Sequence, residues 1–236
     1  MNYLTTERME KSEDLNALEK FKVIIWGASG HALVTADIIR RSTNFEICGF
    51  LDDVNQELHG TEFCGSLILG GKEQLDNLRA KNIKNLIVAI GNCQVRQELA
   101  ELAKTKGFQL ITAIHPQAIV AQNAIIGLGS VVAAGAIINP GAKINANVII
   151  NTSASVDHEC MIEDAVHIGP GVRLGGLVNV KQGAWIGIGA TVADRVTIGA
   201  CSIVGAGAVV LRDVPEGVVV YGVPAKVIRR VESHDY

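Results

Sequence analysis

The chain has 236 residues, room for one large domain or two small ones. Hydrophobic residues make up 48% and charged residues 19%, with a formal net charge of −3, the profile of a soluble globular protein with a sizeable core. That balance gives no support for nucleic-acid binding, which calls for a basic surface, and no apolar run is long enough for a membrane span, so no membrane insertion is expected.

In chain order, residues 1–20 (MNYLTTERMEKSEDLNALEK) carry charges of both signs and no apolar signal core. They read as a leader, and a cytoplasmic location is expected. FKVIIWG is an apolar run ending in Gly, the pattern of a buried strand. HALVTADIIRRS has apolar positions at helical spacing. FEICGFLDD is a second strand ending in two acids, GGKEQLDNLRAKN a helix, NLIVAIGN a third strand and QVRQELAELAKTKGF another helix. Strand–helix alternation predicts a small parallel sheet with crossover helices over residues 21–115. QLITAIHP is a last short strand leading into the second half.

From Ala118 the period changes to six and holds to residue 213 without insertion, from AIVAQN to AVVLRD, sixteen hexapeptides in all. The third place of every six, from Val120 to Val210, is Ile, Val or Leu, and the first place is Ala, Ser, Val or Cys. Such a repeat predicts a β-helix. Each six supplies one short flat side and a turn, and three sides make a coil of eighteen residues. The aliphatic residue points inward onto its equivalent eighteen residues away, with the small first-place residue beside it. Sixteen sides make about five coils, a prism about 25 Å tall at the usual strand spacing. The expected fold is a small Rossmann-like parallel α/β sheet followed, over residues 116–236, by an all-β parallel β-helix and a C-terminal tail.

The five cysteines, Cys48, Cys64, Cys93, Cys160 and Cys201, are scattered without a C-x-x-C pair, which favours reduced thiols. Cys160 holds a first place and is expected to point inward, which rules it out as a nucleophile. His158 is fifth in its six, at a corner, with Pro140 and Gly176 eighteen residues to either side. Gly176 leaves space beside the imidazole that a ligand could use. His167 is second in its six, half a coil away. The two histidines therefore face different sides of the prism, which argues against a metal pair within one subunit.

The hexapeptides, the ending YGVPAKVIRR, and the order WGASGHALVTADII, FLDD and AIGN ahead of the repeat resemble the hexapeptide-repeat sugar acetyltransferases. Within them the match resembles most the enzymes that N-acetylate UDP-4-amino-4,6-dideoxy sugars, as in bacillosamine synthesis. The resemblance covers nearly the whole chain beyond the leader. It implies a left-handed β-helix, acetyl-CoA as co-substrate, no metal, a homotrimer with active sites between subunits, and a nucleotide-linked amino sugar as acceptor. By motif match, NTSASVDHE makes His158 the catalytic base and Glu159 the acid that orients it, with Asp157 as the rival for that role. The same match makes His167, Ile188 and Ala206 acetyl-CoA contacts. Ile188 and Ala206 are eighteen residues apart and Pro170 eighteen before, so these positions form one column, a groove parallel to the prism axis. A backbone N–H near Gly176 would steady the thioester oxygen as charge develops.

In GASGH, Gly27 to His31 join a strand to a helix, a turn that brings N–H groups near a phosphate. The spacing is G-x-x-G, weak support for a dinucleotide. The resemblance assigns Ser29, Gly30, His31, Asp52, Asp53 and Gly91 to the nucleotide sugar, with Asn92 and Arg96 as further candidates. Trp26 and Phe50 read as core and His115 as a junction residue, while His59 and His234 carry no signal. The residues leave open which nucleotide and sugar are used. They also leave open an O-acetyltransferase of sialic acid, a zinc hydratase of the γ-carbonic-anhydrase type, which needs three converging histidines, and a non-catalytic scaffold.

Overall fold

The structure, a computed structural model, describes residues 20–42, 44–232 and 235. The leader, except Lys20, and His234 lie outside the described residues. The apolar run Phe21–Trp26 forms β1, followed by α1 (Gly30–Arg41), β2 (Phe45–Leu51), β3 (Glu62–Phe63), β4 (Ser66–Leu67), α2 (Leu75–Ala80), β5 (Asn85–Val88), α3 (Cys93–Thr105) and β6 (Gln109–Leu110). A parallel sheet runs in the order β2-β1-β5-β6. Val23 and Ile25 pack on one side with Ala32, Ala36 and Ile39 of α1. Ile24 and Trp26 pack on the other with Leu75 and Leu78 of α2 and Ala100 and Ala103 of α3. Helices on both faces explain why β1 reads as a continuous apolar run. The β3–β4 hairpin escaped the sequence reading. Its strands have two residues each, too few for alternation, and its turn is Cys64-Gly65, both left-handed (φ 48° and 68°), where Asn-Gly is the usual signal.

Beyond β6 each six contributes a two-residue strand and a corner. Parallel ladders join residues eighteen apart, as in Ile149↔His167↔Trp185↔Ile203. Three faces result. The first carries Ala113–Ile114, Val131–Val132, Ile149–Ile150, His167–Ile168, Trp185–Ile186 and Ile203–Val204; the second begins at Ile119–Val120 and the third at Ile125–Ile126. First-place residues such as Ala154, Cys160 and Ala184 fill one core with third-place Val156, Ile162 and Ile186. Every sixth-place residue from Gly129 to Gly207 has positive φ, including the non-glycine Asn147, Ser153, Glu159, Ala165, Leu177, Arg195 and Cys201. That left-handed residue turns each corner.

The β-helix starts earlier than the repeat count suggests. QLITAIHP divides: Gln109–Leu110 belongs to the first sheet, whereas Ala113–Ile114 pairs with Val131–Val132 in the first coil. The first face therefore has six repeat strands, about six coils where five are expected. The extra six, TAIHPQ, keeps an aliphatic third place in Ile114, but Thr112 at its first place and Pro116 at its fifth hide it. At the far end Val218–Tyr221 extends the first face and Lys226–Arg230 folds back on it antiparallel.

The first sheet and its helices cover the first face. Outward residues there are sealed, Val131 and Ile149 at 1% exposure, while Ile119 and Ile125 on the other faces stand at 65% and 59%. Among the described residues no helix is long and apolar enough to cross a membrane.

Candidate active site

His158 occupies the fifth place of a corner joining the second and third faces, and Glu159 the sixth. Neighbouring side chains on a strand point apart, but φ of +55° at Glu159 turns its side chain back. Its Oε2 lies 3.3 Å from His158 Nδ1, with the two side chains 64% and 52% exposed. A carboxylate only accepts, so this contact places the imidazole proton on Nδ1 and leaves Nε2 as the basic nitrogen. Asp157, the rival, is committed elsewhere. Its Oδ1 accepts the backbone N–H of His158 at 2.6 Å and Asn139 Nδ2 at 3.0 Å. Those bonds, the His158 N–H foremost, hold its carboxyl below the usual range.

Gly176 lies beside His158, and the space it leaves is taken by the ring itself. A β-carbon there would stand 2.4 Å from His158 Nε2 and 2.6 Å from Cε1. Its N–H donates to Asp194 Oδ1 at 2.9 Å. The imidazole itself thus occupies the space beside Gly176, and the Gly176 amide has a partner in Asp194.

The next corner, between the first and second faces, carries Thr152, Pro170, Ile188 and Ala206 in one column. Backbone bonds tie it together, Gly171 N–H to Thr152 O (2.9 Å), Gly189 N–H to Pro170 O (2.8 Å) and Gly207 N–H to Ile188 O (2.8 Å). Ile188 is 64% exposed and Ala206 is exposed as well. This is an open, apolar edge with the column arithmetic expected of an acetyl-CoA groove.

His167 is not open on that edge. Its position on the first face puts it under the first sheet's loops, at 8% exposure. Nδ1 lies 3.3 Å from the Gly91 carbonyl and Nε2 3.4 Å from Asn151 Nδ2, and the ring stacks on Trp185 at 5.7 Å. The His31 ring is 6.4 Å away, and its Nε2 is sealed from solvent without a hydrogen-bond partner among the described residues. Burial foremost, then the mutual charge of the two histidines and of Arg96, depresses His31 to about 3. Burial and Arg96 depress His167 to about 4. Both rings are neutral near pH 7.

At the GASGH turn, Gly27 has φ +130°, and a β-carbon there would meet the Ala89 carbonyl at 2.6 Å, so only glycine lets the turn pass this close to the end of β5. Ser29 is the N-cap of α1 but makes no side-chain cap bond, and the first turn has no acid. Ser29 and Gly30 are exposed and Gly91 half-buried. The helix start thus presents uncapped N–H groups, the arrangement that favours an anion. The two acids are less free than expected. Asp52 Oδ1 accepts Val54 and Asn55 N–H, both at 2.8 Å. Asp53 bridges Trp26 Nε1 (2.7 Å) and Lys72 N–H (2.8 Å). Asn92 caps α3, its Oδ1 accepting Val95 N–H at 2.9 Å, and Arg96 is fully buried. Asn92 is thus occupied with its own helix, while Arg96 donates to carbonyls on both the loop after β5 and the β-helix. Trp26 and Phe50 are core, both at 0% exposure. His115, also buried, stands at the junction, Nε2 4.0 Å from Asp37 of α1.

Cys160 points inward as expected, its Sγ 3.1 Å from the Gly175 carbonyl, and burial pushes its thiol up to about 11. Asn151, Asp194 and Trp185 were missed from sequence, since each holds an outward or corner place where any polar or aromatic residue is admissible.

The residues 22–103 match the PglD N-terminal domain. The crystal structure of PerB from Caulobacter crescentus, in complex with CoA and GDP-perosamine, is 40% identical with a TM-score of 0.84, covering 88% of this chain and 97% of that one. The acetyltransferase domain of PglB from Neisseria gonorrhoeae FA1090, in complex with acetyl coenzyme A, is 38% identical with a TM-score of 0.83 over 89% of this chain and 100% of that one. A putative acetyltransferase of Schizosaccharomyces pombe is 44% identical over 63 residues, 27% of this chain and 30% of that protein. The chain spans about a third or less of the curated relatives it matches. With a small parallel α/β sheet leading into a left-handed parallel β-helix, and with this identity across nearly the whole of two solved relatives, the chain belongs to the hexapeptide-repeat acetyltransferase family.

Proposed function

We propose that the protein transfers the acetyl group of acetyl-CoA to the amine of a nucleotide-linked amino sugar, with a UDP-4-amino-4,6-dideoxy sugar favoured. The observation that carries this reading is the His158–Glu159 pair on an exposed corner, with Nε2 left as the base. The uncapped start of α1 would take the phosphates, with Ser29, Gly30, His31 and Gly91 around it and Asp53 just beyond β2. The column Thr152, Pro170, Ile188 and Ala206 fits the pantetheine arm along its open edge. In the reaction the amine nitrogen attacks the thioester carbonyl, a C–N bond forms as the C–S bond breaks, and CoA leaves as the thiolate, which takes up the proton that the imidazolium releases. His158 Nε2 takes the proton from the amine, and Glu159 offsets the charge that the imidazole gains. Holding both substrates together makes an acyl-enzyme unnecessary, consistent with the inward thiol of Cys160.

One chain does not bring these parts together. His158 and the Ile188–Ala206 column stand on different corners, at opposite ends of the second face. A neighbouring copy would complete the site, which supports a homotrimer with active sites between subunits. PerB, crystallised with CoA and GDP-perosamine, and PglB, crystallised with acetyl coenzyme A, lend the substrate classes. The test is CoA release with UDP-, GDP- and dTDP-4-amino sugars and with sialic acids. Turnover of a nucleotide amino sugar is expected; turnover of sialic acid alone overturns the assignment.

A further inference from the structure

Arg96 is among the largest fully buried side chains, at 0% exposure, and the proposed reaction does not use it. Its guanidinium is bound by backbone carbonyls. Nε donates to Asn147 O at 2.8 Å and Nη2 to Ala165 O at 2.7 Å, both sixth-place residues of the β-helix. Nη1 donates to Ile90 O at 2.9 Å and Gly91 O at 2.8 Å, on the loop after β5. One planar fork thus ties the nucleotide-side loop to the β-helix. A lysine ammonium, a single point donor, could not span these four carbonyls.

The Gly91 carbonyl has a second donor, His167 Nδ1 at 3.3 Å. A carbonyl only accepts, so the His167 proton is on Nδ1 and Nε2 accepts from Asn151 Nδ2 at 3.4 Å. The Asn151 amide is oriented in turn, because its Oδ1 accepts the Thr152 N–H at 2.8 Å. Thr152 is the foot of the column read above as the acetyl-CoA edge.

We propose that Arg96 is a positioning residue that pins the Gly91 carbonyl between the two halves, fixes the Nδ1–H tautomer of His167, and through Asn151 sets the Thr152 corner at which the acyl donor is held. The last step rests on the acetyl-CoA reading of that column; the first two do not. The field of Arg96 adds to burial in keeping His167 neutral.

The test is ¹⁵N-histidine NMR at pH 7 with calorimetry of CoA binding on the full chain. His167→Gln assigns the resonance. In the wild type His167 is expected as the Nδ1–H tautomer; in Arg96→Lys, which keeps the charge and loses the fork, as a mixture, with the Kd for CoA raised about tenfold. A role in folding alone would lower the Tm and leave the tautomer unchanged. A wild-type His167 protonated on Nε2 overturns the proposal without any variant. So does a folded Arg96→Lys with unchanged tautomer and Kd. Should Arg96→Lys not fold, Asn151→Ala cuts the same chain further along, and an unchanged Kd for CoA there overturns the link to Thr152. A wild type that binds no CoA overturns the acetyl-CoA reading and with it that link, while the tautomer still decides the rest.

Discussion

Glu159 Oε2 stands 3.3 Å from Nδ1 of His158, the residue immediately before it, because the Glu159 backbone is left-handed at φ +55°. A non-glycine residue in that region costs on the order of 1 kcal/mol. Other sixth places in the β-helix are often glycine, so the carboxylate is retained against a backbone preference. Glu159→Gly is therefore expected to leave stability unchanged or raise it by up to about 1 kcal/mol, and to lower kcat. Glu159→Gln, which keeps the shape and loses the charge, is expected to lower kcat with stability unchanged. Thermal melts and steady-state kinetics on both variants check this. Full turnover in Glu159→Gly would show that the contact is incidental.

His158 is half-exposed, and its ring rests on the surface over Gly176 and not in the core. His158→Ala should cut turnover by about 10²–10⁴-fold, the usual worth of a positioned general base, while CoA binding by calorimetry stays intact, since Ile188 and Ala206 lie on another corner. Near-normal turnover would remove His158 from the mechanism.

Gly176 is a sharper probe of the same base. Its φ is not in the left-handed region, so Ala is tolerated by the backbone, yet the new methyl would meet His158 Nε2 at 2.4 Å. The imidazole is the flexible, exposed partner and will yield. Gly176→Ala should thus change stability by less than about 0.5 kcal/mol and lower kcat by about 10²-fold through a misplaced base. A melt and a kcat measurement decide it, and an unaltered kcat would mean the ring's seat over Gly176 is not the working position.

The β-helix was legible because its third-place aliphatics repeat without interruption, and the same repeat put Ile188 and Ala206 in one column. The corner itself was harder to read. No residue type marks the sixth place, where Ala165 and Leu177 take the same left-handed turn as Gly171 and Gly183. The return of Glu159 toward His158 was therefore visible only in the structure. Arg96 was opaque for a different reason. On sequence it is a charged residue of an amphipathic helix, a further candidate for the nucleotide sugar by motif match, and its burial depends on how the first sheet docks on the first face, which no local pattern encodes. The same docking turned His167 from an edge residue into a buried one.

That burial makes stability depend on pH. His167 sits among His31, Arg96, the Gly91 carbonyl, Asn151 and Trp185, and its folded-state value is about 4 against an ordinary 6.5, with burial the leading cause. Above pH 6.5 neither the folded nor the unfolded chain protonates it, and the group has no effect. As pH falls below 6.5 the unfolded chain takes up a proton that the folded chain refuses, so stability declines until the folded value near 4, where the loss levels off. For His167 the full span is on the order of 3 kcal/mol, and His31, depressed further still, acts in the same direction. Urea denaturation of the wild type and His167→Gln across pH 7.5 to 4.5 measures it. The variant is expected to lose less stability across this window than the wild type, whatever its stability at pH 7.5. Parallel curves would show that His167 is not held neutral by the fold.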